Sequence, residues 1–428
     1  IVTFELSFEY VGNRTKKLAR IFYQTICRIL MLPVAVLVLF SGIVRRVRIG
    51  YFTSDRIGHF IFDFFWYRDQ IQDHSRYFDI FFFVGRSSNL AFERIVRREI
   101  RVWSWAEHAA YWLQLYESIR QKHILDPARV SVDSRDPRGK LDSNRNLEGL
   151  FSESESDQVS LFLKKYGLNR TDKFVCYVVR DAGYLGHVSG KPPGHWDYHA
   201  YRNSEIKDFE CSAKAIADRG YFVFRVGRFT NKVFRPGIPR VVDLSGDEEL
   251  DDLVDIWLLA HCAFVVTTGT GIDTMALCLG RPMLFVNFLP IMHTWSWHYT
   301  MTFPKRLTWI DTGVELTFEE YVQNSWQQTQ AYRDAGIRVD SLLPNEIRDA
   351  VIEFDDRLIE KWCETPEEAK LQTAAWQCVL SNSDEVWHEI IHPKACFASA
   401  FLLSTGTKNN LGEKVVAETK SYLVDNRA

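Results

Sequence analysis

Three stretches of this 428-residue chain hold the residue types that could do chemistry on an anionic ligand. The first is Arg180-Asp181 with Tyr184 three residues on, followed by Asp197, His199, Arg202 and Asn203. The second is Arg225, Gly227 and Arg228, at the end of an apolar run. The third is the small-residue turn Thr267-Thr268-Gly269-Thr270-Gly271, closing on Asp273. A guanidinium can clamp a diphosphate at two points and neutralise charge as it leaves. A turn opening a helix lets a phosphate approach free backbone N–H groups. Each stretch also has a plain structural reading: an ion pair, a helix cap at Asn203, a tight strand-to-helix packing. It is their concentration at strand ends that favours a site. In the first half of the chain, Arg56-Ile57-Gly58-His59 takes the equivalent strand-end position, and His59 could accept a hydroxyl proton near neutral pH. A lone histidine is also compatible with a structural role.

The common nucleotide fingerprints are missing. A dinucleotide motif would need glycine at its sixth position, where Thr274 stands, and an acid about twenty residues on. No Gly-Lys-Ser/Thr follows a glycine loop, and no Asp-x-Asp occurs to hold a divalent ion on a donor diphosphate. A metal-free mechanism is expected, with the charge met by arginines and backbone.

The elements that must position these residues alternate. Val47–Phe52 reads as a buried strand, a Phe60/Phe64/Phe65 helix follows, and Phe78–Val84 reads as a second strand. Segment 130–158 is polar and without periodicity, the best domain boundary. Beyond it come strand Lys173–Val179, a helix from Ser204 to Arg219 stopped by Gly220, strand Tyr221–Val226, helix Asp251–His261, strand Phe264–Thr267 and strand Met283–Val286. The fold class is therefore α/β with two Rossmann-like domains, an N-terminal apolar helix and C-terminal helices. The expected divisions are 1–46, 47–158, 159–317 and 318–428.

Composition bounds the rest. With 46% apolar and 25% charged residues the chain is globular, and its net charge of −3 gives no general pull toward nucleic acid. The eight cysteines have no zinc-like spacing, and nothing else supports reading the sequons at Asn13 and Asn169 as secretory marks. Ile29–Val44 is uncharged, with arginines on both sides and Pro33 and Gly42 inside. At ~1.5 Å per residue it is about 24 Å long against a ~30 Å hydrocarbon core, so an interfacial anchor is expected, with a signal-peptide core or a buried element as rivals.

The segments FVCYVVRDAGYL, YHAYRNSEI, GYFVFRVGR, DIWLLAHCAFVVTTGTGID and RPMLFVNFLP, in this order and spacing, resemble a bacterial glycosyltransferase family found with surface-polysaccharide genes. The likeness runs over Lys173–Lys305, is looser at Arg56–His59, and returns in CFASAFLL near the end. It implies a GT-B fold with a nucleotide-sugar donor on the C-terminal domain and a glycan or lipid-linked acceptor on the N-terminal one. By position it points to Arg180, Asp181, Tyr184, Arg202, Asn203, Arg225, Gly227, Thr268, Gly269, Thr270, Gly271, Asp273 and Asn287, with Arg180, Asp181, Arg202 and His59 at the reacting end. At Leu244-Ser245 the sequence departs from the family, where an aromatic is common after the Asp. The implied place of work is the cytoplasmic face of the cell membrane, with no cofactor or metal and the nucleotide sugar as substrate. The rival readings are an inactive membrane-attached scaffold and a nicotinamide-dependent oxidoreductase.

Overall fold

A computed structural model describes residues 13–41, 45–131, 134–141, 149–169, 171–181, 197–227, 230, 232–234, 236–245, 247, 250–383 and 387–405, the side chains of 13–17 excepted. The chain forms two compact units, Ile1–Ser134 and Arg135–Ala428. Their junction lies ahead of the expected break at 158.

Unit 1 begins with α1 (Asn13–Leu39) and is centred on β1 (Arg46–Thr53). After α2 (Ile57–Trp66) comes β2 (Tyr77–Val84), then α3 (Leu90–Glu99), α4 (Ala106–Leu113), α5 (Glu117–His123), β3 (Ile124–Leu125) and α6 (Pro127–Val130). The three strands are parallel in the order β2-β1-β3. Gly50 lets Phe81 lie across β1, since a Cβ there would meet the ring at 2.3 Å. Phe81 in turn stacks on Phe52 at 4.5 Å. The apolar face of α2 meets Phe92 of α3 edge-on through Phe60 and Phe64, at 5.1 and 5.5 Å. Among the described residues of this unit an ion pair is buried: Arg48 donates to both carboxylate oxygens of Asp79, each at 2.7 Å, and Tyr67 Oη adds a third bond at 2.8 Å.

α1 is longer than its apolar core suggests. It starts upstream of Ile29 and continues through Pro33. Its apolar window, Leu18–Leu39, has 22 residues, or roughly 33 Å at ~1.5 Å each, so shortness no longer argues against a membrane crossing. It is the one helix among the described residues long and apolar enough for that. Part of one face is already used, however: Ala35 and Val38 are buried with Ala106, Ala109 and Ala110 of α4. Trp112 Nε1 donates to the Arg28 carbonyl at 2.7 Å, and the Arg28 guanidinium lies 4.0 Å from the Tyr111 ring centre. The helix α1 is thus integrated into unit 1.

Unit 2 holds a seven-stranded parallel sheet in the order β12-β9-β8-β7-β4-β5-β6. The strands are β4 (Phe174–Val178), β5 (Phe222–Arg225), β6 (Val241–Asp243), β7 (Val265–Thr267), β8 (Met283–Val286), β9 (Thr300–Phe303) and β12 (Cys396–Phe397). An antiparallel pair, β10 (Arg306–Trp309) and β11 (Ile337–Asp340), stands apart from it. The chain builds β4, β5 and β6 outward in one direction, then returns to β7 on the other side of β4 and continues to β8 and β9. The order reverses between β4 and β7, the place where open α/β sheets gather ligands at their carboxyl ends.

Segment 130–158 is not wholly irregular. α7 (Glu153–Lys164) starts within it on a reciprocal capping box between Ser152 and Glu155. Only Val159 and Leu163 of this helix are fully buried, which is why its apolar period is faint. The residues past 318 are no separate helical region either. β12 pairs with β9, and Phe397, Ala398, Phe401 and Leu402 join the main core with Phe318 and Tyr321.

Candidate functional site

The reversal point brings together the ends of β4 and β7. Val178 pairs with Thr267, and just beyond them Arg180 N donates to Thr268 Oγ1 at 2.8 Å while Thr268 N donates to the Val178 carbonyl at 3.2 Å. The 3-10 turn Asp197–Arg202 returns to the same edge. There Ser204 N donates to the Arg180 carbonyl at 3.0 Å and Arg202 Nη2 to the Gly269 carbonyl at 2.7 Å. Lys305 Nζ anchors the Asn203 carbonyl from below, and burial pulls its pKa down to about 8. Arg180, Arg202 and the Thr268–Gly269 turn are therefore held in one place by main-chain bonds.

The expected use of the turn needs correcting. Thr268, Gly269 and Thr270 N–H groups are all spent internally, on the Val178 carbonyl, Thr267 Oγ1 at 2.9 Å and Asp273 Oδ2 at 2.7 Å. What the turn presents to Arg202 is a carbonyl, at Gly269. The helix that follows, Thr274–Cys278, is a five-residue turn, so little dipole stands behind it. Gly269 is needed for shape: its φ is +80°, and a Cβ would lie 2.7 Å from Phe288 and 3.6 Å from Arg202 Nη2. Asp273 is fully buried, accepts also from Thr267 Oγ1 at 2.7 Å, and burial pushes its carboxyl up to about 6. It braces the turn from within. Gly271 is exposed.

Arg225 is likewise engaged within the fold. Only 1% exposed, its Nη1 donates to the Lys232 carbonyl and, at 3.1 Å, to Asp243. Asp243 Oδ2 accepts from Phe234 N as well, so the pair fixes the loop between β5 and β6. A diphosphate between Arg225 and the turn would have to compete with that carboxylate. Asn287 is likewise fully buried at φ 54°, its Oδ1 accepting from Leu342 N at 2.7 Å. Gly227 has φ +117° and open space around it. Asp181 is half-buried beside Arg225, whose charge it helps to support. Tyr184 lies outside the described residues. His59 belongs to unit 1, where its ring meets Ser134.

Arg180 and Arg202 differ from Arg225. Neither has a carboxylate hydrogen-bonded to it among the described residues, although the buried Asp273 carboxyl feels the Arg202 charge; the Nε is buried with no hydrogen-bond partner in all three arginines. Burial and then the Arg202 charge pull Arg180 down to about 10. His199, whose buried Nδ1 also has no partner, is held down at about 4 by burial and then by these two arginines.

Sequence reasoning missed the next members of the cluster. His293, in the turn after β8, is pushed down to about 3 by burial, then Arg135, Arg202 and His388. Its ring stacks on Trp387 at 4.8 Å, and the Arg135 guanidinium sits 3.7 Å from the centre of the same indole. His388 is fixed by Ser296 Oγ at 2.9 Å and the Met292 carbonyl at 3.0 Å. No local pattern marks these residues; they come together only because β8, the chain at 135 and the chain at 387 converge. The outcome is a cluster of charged guanidinium groups and neutral imidazoles at a sheet's carboxyl edge, suited to an anion carrying several acceptor oxygens.

No family profile and no curated protein matches the sequence. Among solved structures it is similar to a glycosyltransferase family 9 protein from Veillonella parvula DSM 2008, with TM-score 0.40 and 11% identity over 60% of this chain and 85% of that one. It is also similar to the E. coli ADP-heptose LPS heptosyltransferase II (TM-score 0.33, 14% identity, 60% and 90% covered). A third is the dodecameric iron-containing heptosyltransferase TibC in complex with ADP-D-beta-D-heptose (0.35, 12%, 74% and 77%).

Proposed function

We propose that this chain is a glycosyltransferase of GT-B type that moves a sugar from a nucleotide-sugar donor to a glycan or lipid-linked acceptor in surface-polysaccharide synthesis. The observation that carries the reading is the pair Arg180 and Arg202, two partly buried guanidinium groups at the reversal point of a parallel sheet, with no carboxylate hydrogen-bonded to either among the described residues. Like charges drawn together out of water destabilise a fold unless a ligand returns the opposite charge. A diphosphate does so, and its negative charge grows as the sugar leaves, so the same groups bind the transition state better than the donor. The arginines meet that charge, with neutral His199 and His293 as hydrogen-bond donors beside them, so the proposed reaction calls on no metal ion and no cofactor.

The membrane is the proposed place of work. α1 docks one face on α4 and leaves Leu18, Phe22, Ile29, Leu30, Leu37 and Phe40 exposed, each at least 60%. A helix so docked lies along the bilayer surface on the cytoplasmic side, its free face in the headgroup boundary.

The first test is a thermal-shift screen against nucleoside diphosphates and nucleotide sugars, with and without chelator. A ligand at ~100 times its dissociation constant should stabilise by about 2.7 kcal/mol. A hit that survives chelation and disappears in Arg180→Gln/Arg202→Gln supports the reading. Folded protein that binds none of them overturns it.

A further inference from the structure

Arginines collect at one end of unit 1, away from the carboxyl end of β1 that leads into Arg56–His59. Arg45 precedes β1, Arg46 begins it, and Arg76 stands directly before β2. Arg46 N donates to the Arg76 carbonyl at 3.0 Å, so the three lie side by side at the amino ends of two adjacent strands. α3, which follows β2, returns toward that end and carries Arg97 and Arg98 in its last turn. The chain then lays residues 101–103 along β2. Phe81 N donates to the Arg101 carbonyl and Trp103 N to the Phe81 carbonyl, both at 2.8 Å. Together with His74, residues Arg97, Arg98, Arg101 and Trp103 line an open cleft of about 450 Å³.

The same end presents apolar surface. Ser41 Oγ, just past α1, accepts from Val47 N at 2.8 Å, which brings the exposed Leu37 and Phe40 to the amino end of β1. Trp103 is exposed as well, its ring 5.3 Å from that of Trp105 and close to parallel with it. Trp105 and Phe78 pack on the cluster that receives Ala35 and Val38 of α1, and the Arg101 guanidinium lies 4.5 Å from the Phe78 ring centre. One patch of core therefore joins the cleft, its tryptophan and the end of the helix.

Part of the charge here is uncompensated. The acids nearest in sequence, Asp73, Glu93 and Glu99, are ion-paired with Arg76, Arg97 and Arg68. Arg45, Arg46 and Arg101 have no acid partner among the described residues. The chain as a whole is slightly acidic, with a net charge of −3, so the positive field is local to this end. A bilayer interface matches the combination: indole rings settle at headgroup level, and guanidinium groups meet lipid phosphates.

We propose that this end of unit 1 binds anionic lipid headgroups, with the cleft between the last turn of α3, His74 and Trp103 taking a headgroup phosphate. The inference rests on the membrane placement of α1 proposed above and adds a lipid preference to it. α1 supplies apolar contact, which any lipid satisfies; the arginines supply the part that only a negatively charged leaflet satisfies.

The test measures co-sedimentation of the full chain with vesicles of phosphatidylcholine alone and of two parts phosphatidylcholine to one part phosphatidylglycerol. The parent should partition onto the anionic vesicles ~100-fold more tightly. Arg76→Gln/Arg98→Gln/Arg101→Gln should lose about fivefold per arginine, roughly 100-fold in all, on anionic vesicles and nothing on neutral ones. Salt at ~1 M, where the Debye length is ~3 Å, should do the same to the parent. Trp103→Ala should weaken binding to both. Removing the same charge from exposed positions of unit 2, in Arg333→Gln/Arg338→Gln/Lys370→Gln, should leave both partitions at the parental level. Melting curves establish that each variant is folded. Equal parental partition onto the two lipids, or an equal loss in the unit 2 control, overturns the headgroup site and leaves the anchoring by α1 intact. A folded parent that binds neither vesicle overturns the membrane placement itself, and the headgroup site with it.

Discussion

Two buried arginine arrangements stand in contrast. In unit 1, Arg48 is fully compensated: two bonds to Asp79, a tyrosine hydroxyl on that carboxylate, and the Tyr77 ring 3.5 Å beneath its guanidinium. In unit 2, Arg180 and Arg202 have each other and two histidines for company, and among the described residues no carboxylate is hydrogen-bonded to either; the nearest acid to act on them is the buried Asp273, which feels the Arg202 charge. The first pattern holds strands β1 and β2 together at matched register, Arg48 opposite Asp79. The second gives nothing to the fold that a neutral side chain could not give. Arg225, paired with Asp243, belongs to the first kind although it sits near the second. Burial of an arginine is thus no guide to function until its counter-ion is found.

The comparison can be broken by substitution. Asp79→Ala strands a buried guanidinium and should cost ~3–5 kcal/mol of stability, read as a lowered Tm or denaturation midpoint. A loss under ~1 kcal/mol would show that Arg48 reaches water and that the pair is not structural. Arg202→Gln should act the other way. It relieves repulsion with Arg180, so Tm stays level or rises, while kcat/KM falls by ~10²- to 10³-fold, about 2.7–4 kcal/mol of transition-state stabilisation. Steady-state kinetics beside a melting curve decides it, and a large drop in Tm with intact kinetics would place Arg202 with Arg48.

Much of this arrangement was legible before the structure. The alternation of β1, α2 and β2, the strands β4, β5, β7 and β8, and the concentration of arginines after β4 all follow from apolar period and turn chemistry. Three kinds of feature were not. Short strands such as β6 and β12, of three and two residues, carry no period to read. Pairing is non-local, so Arg225 looked free beside a strand end until Asp243 was seen opposite it in register. Backbone donors that a turn consumes itself, as at Gly269 and Thr270, are invisible when only residue types are known. The same blindness hid the hydrogen bonds of Ser134 to His59, more than seventy residues away, and to Asp63, which as a polar residue amid phenylalanines reads simply as the wet side of an amphipathic helix.

The smallest effect expected concerns that acid. Burial pushes the Asp63 carboxyl up to about 7, with the nearby Asp126 charge adding to the rise and the Ser134 bond opposing it. Unfolded, an aspartate titrates near ~3.9. Between those values the native state binds more protons than the unfolded one, so Asp63 contributes stability that is full below about pH 4 and lost as pH rises toward 7. An amide in its place would not titrate. Asp63→Asn should therefore match the parent in Tm near pH 4–5 and exceed it at pH 8, by a gap on the order of 2 kcal/mol, while other acids and histidines titrate alike in both and cancel. Melting curves of the two proteins across that range measure it. A gap that is flat with pH would mean that Asp63 is ionised at no penalty. A gap that opens as expected would show an acid kept buried at the expense of stability in unit 1, as the arginines without a hydrogen-bonded carboxylate are in unit 2.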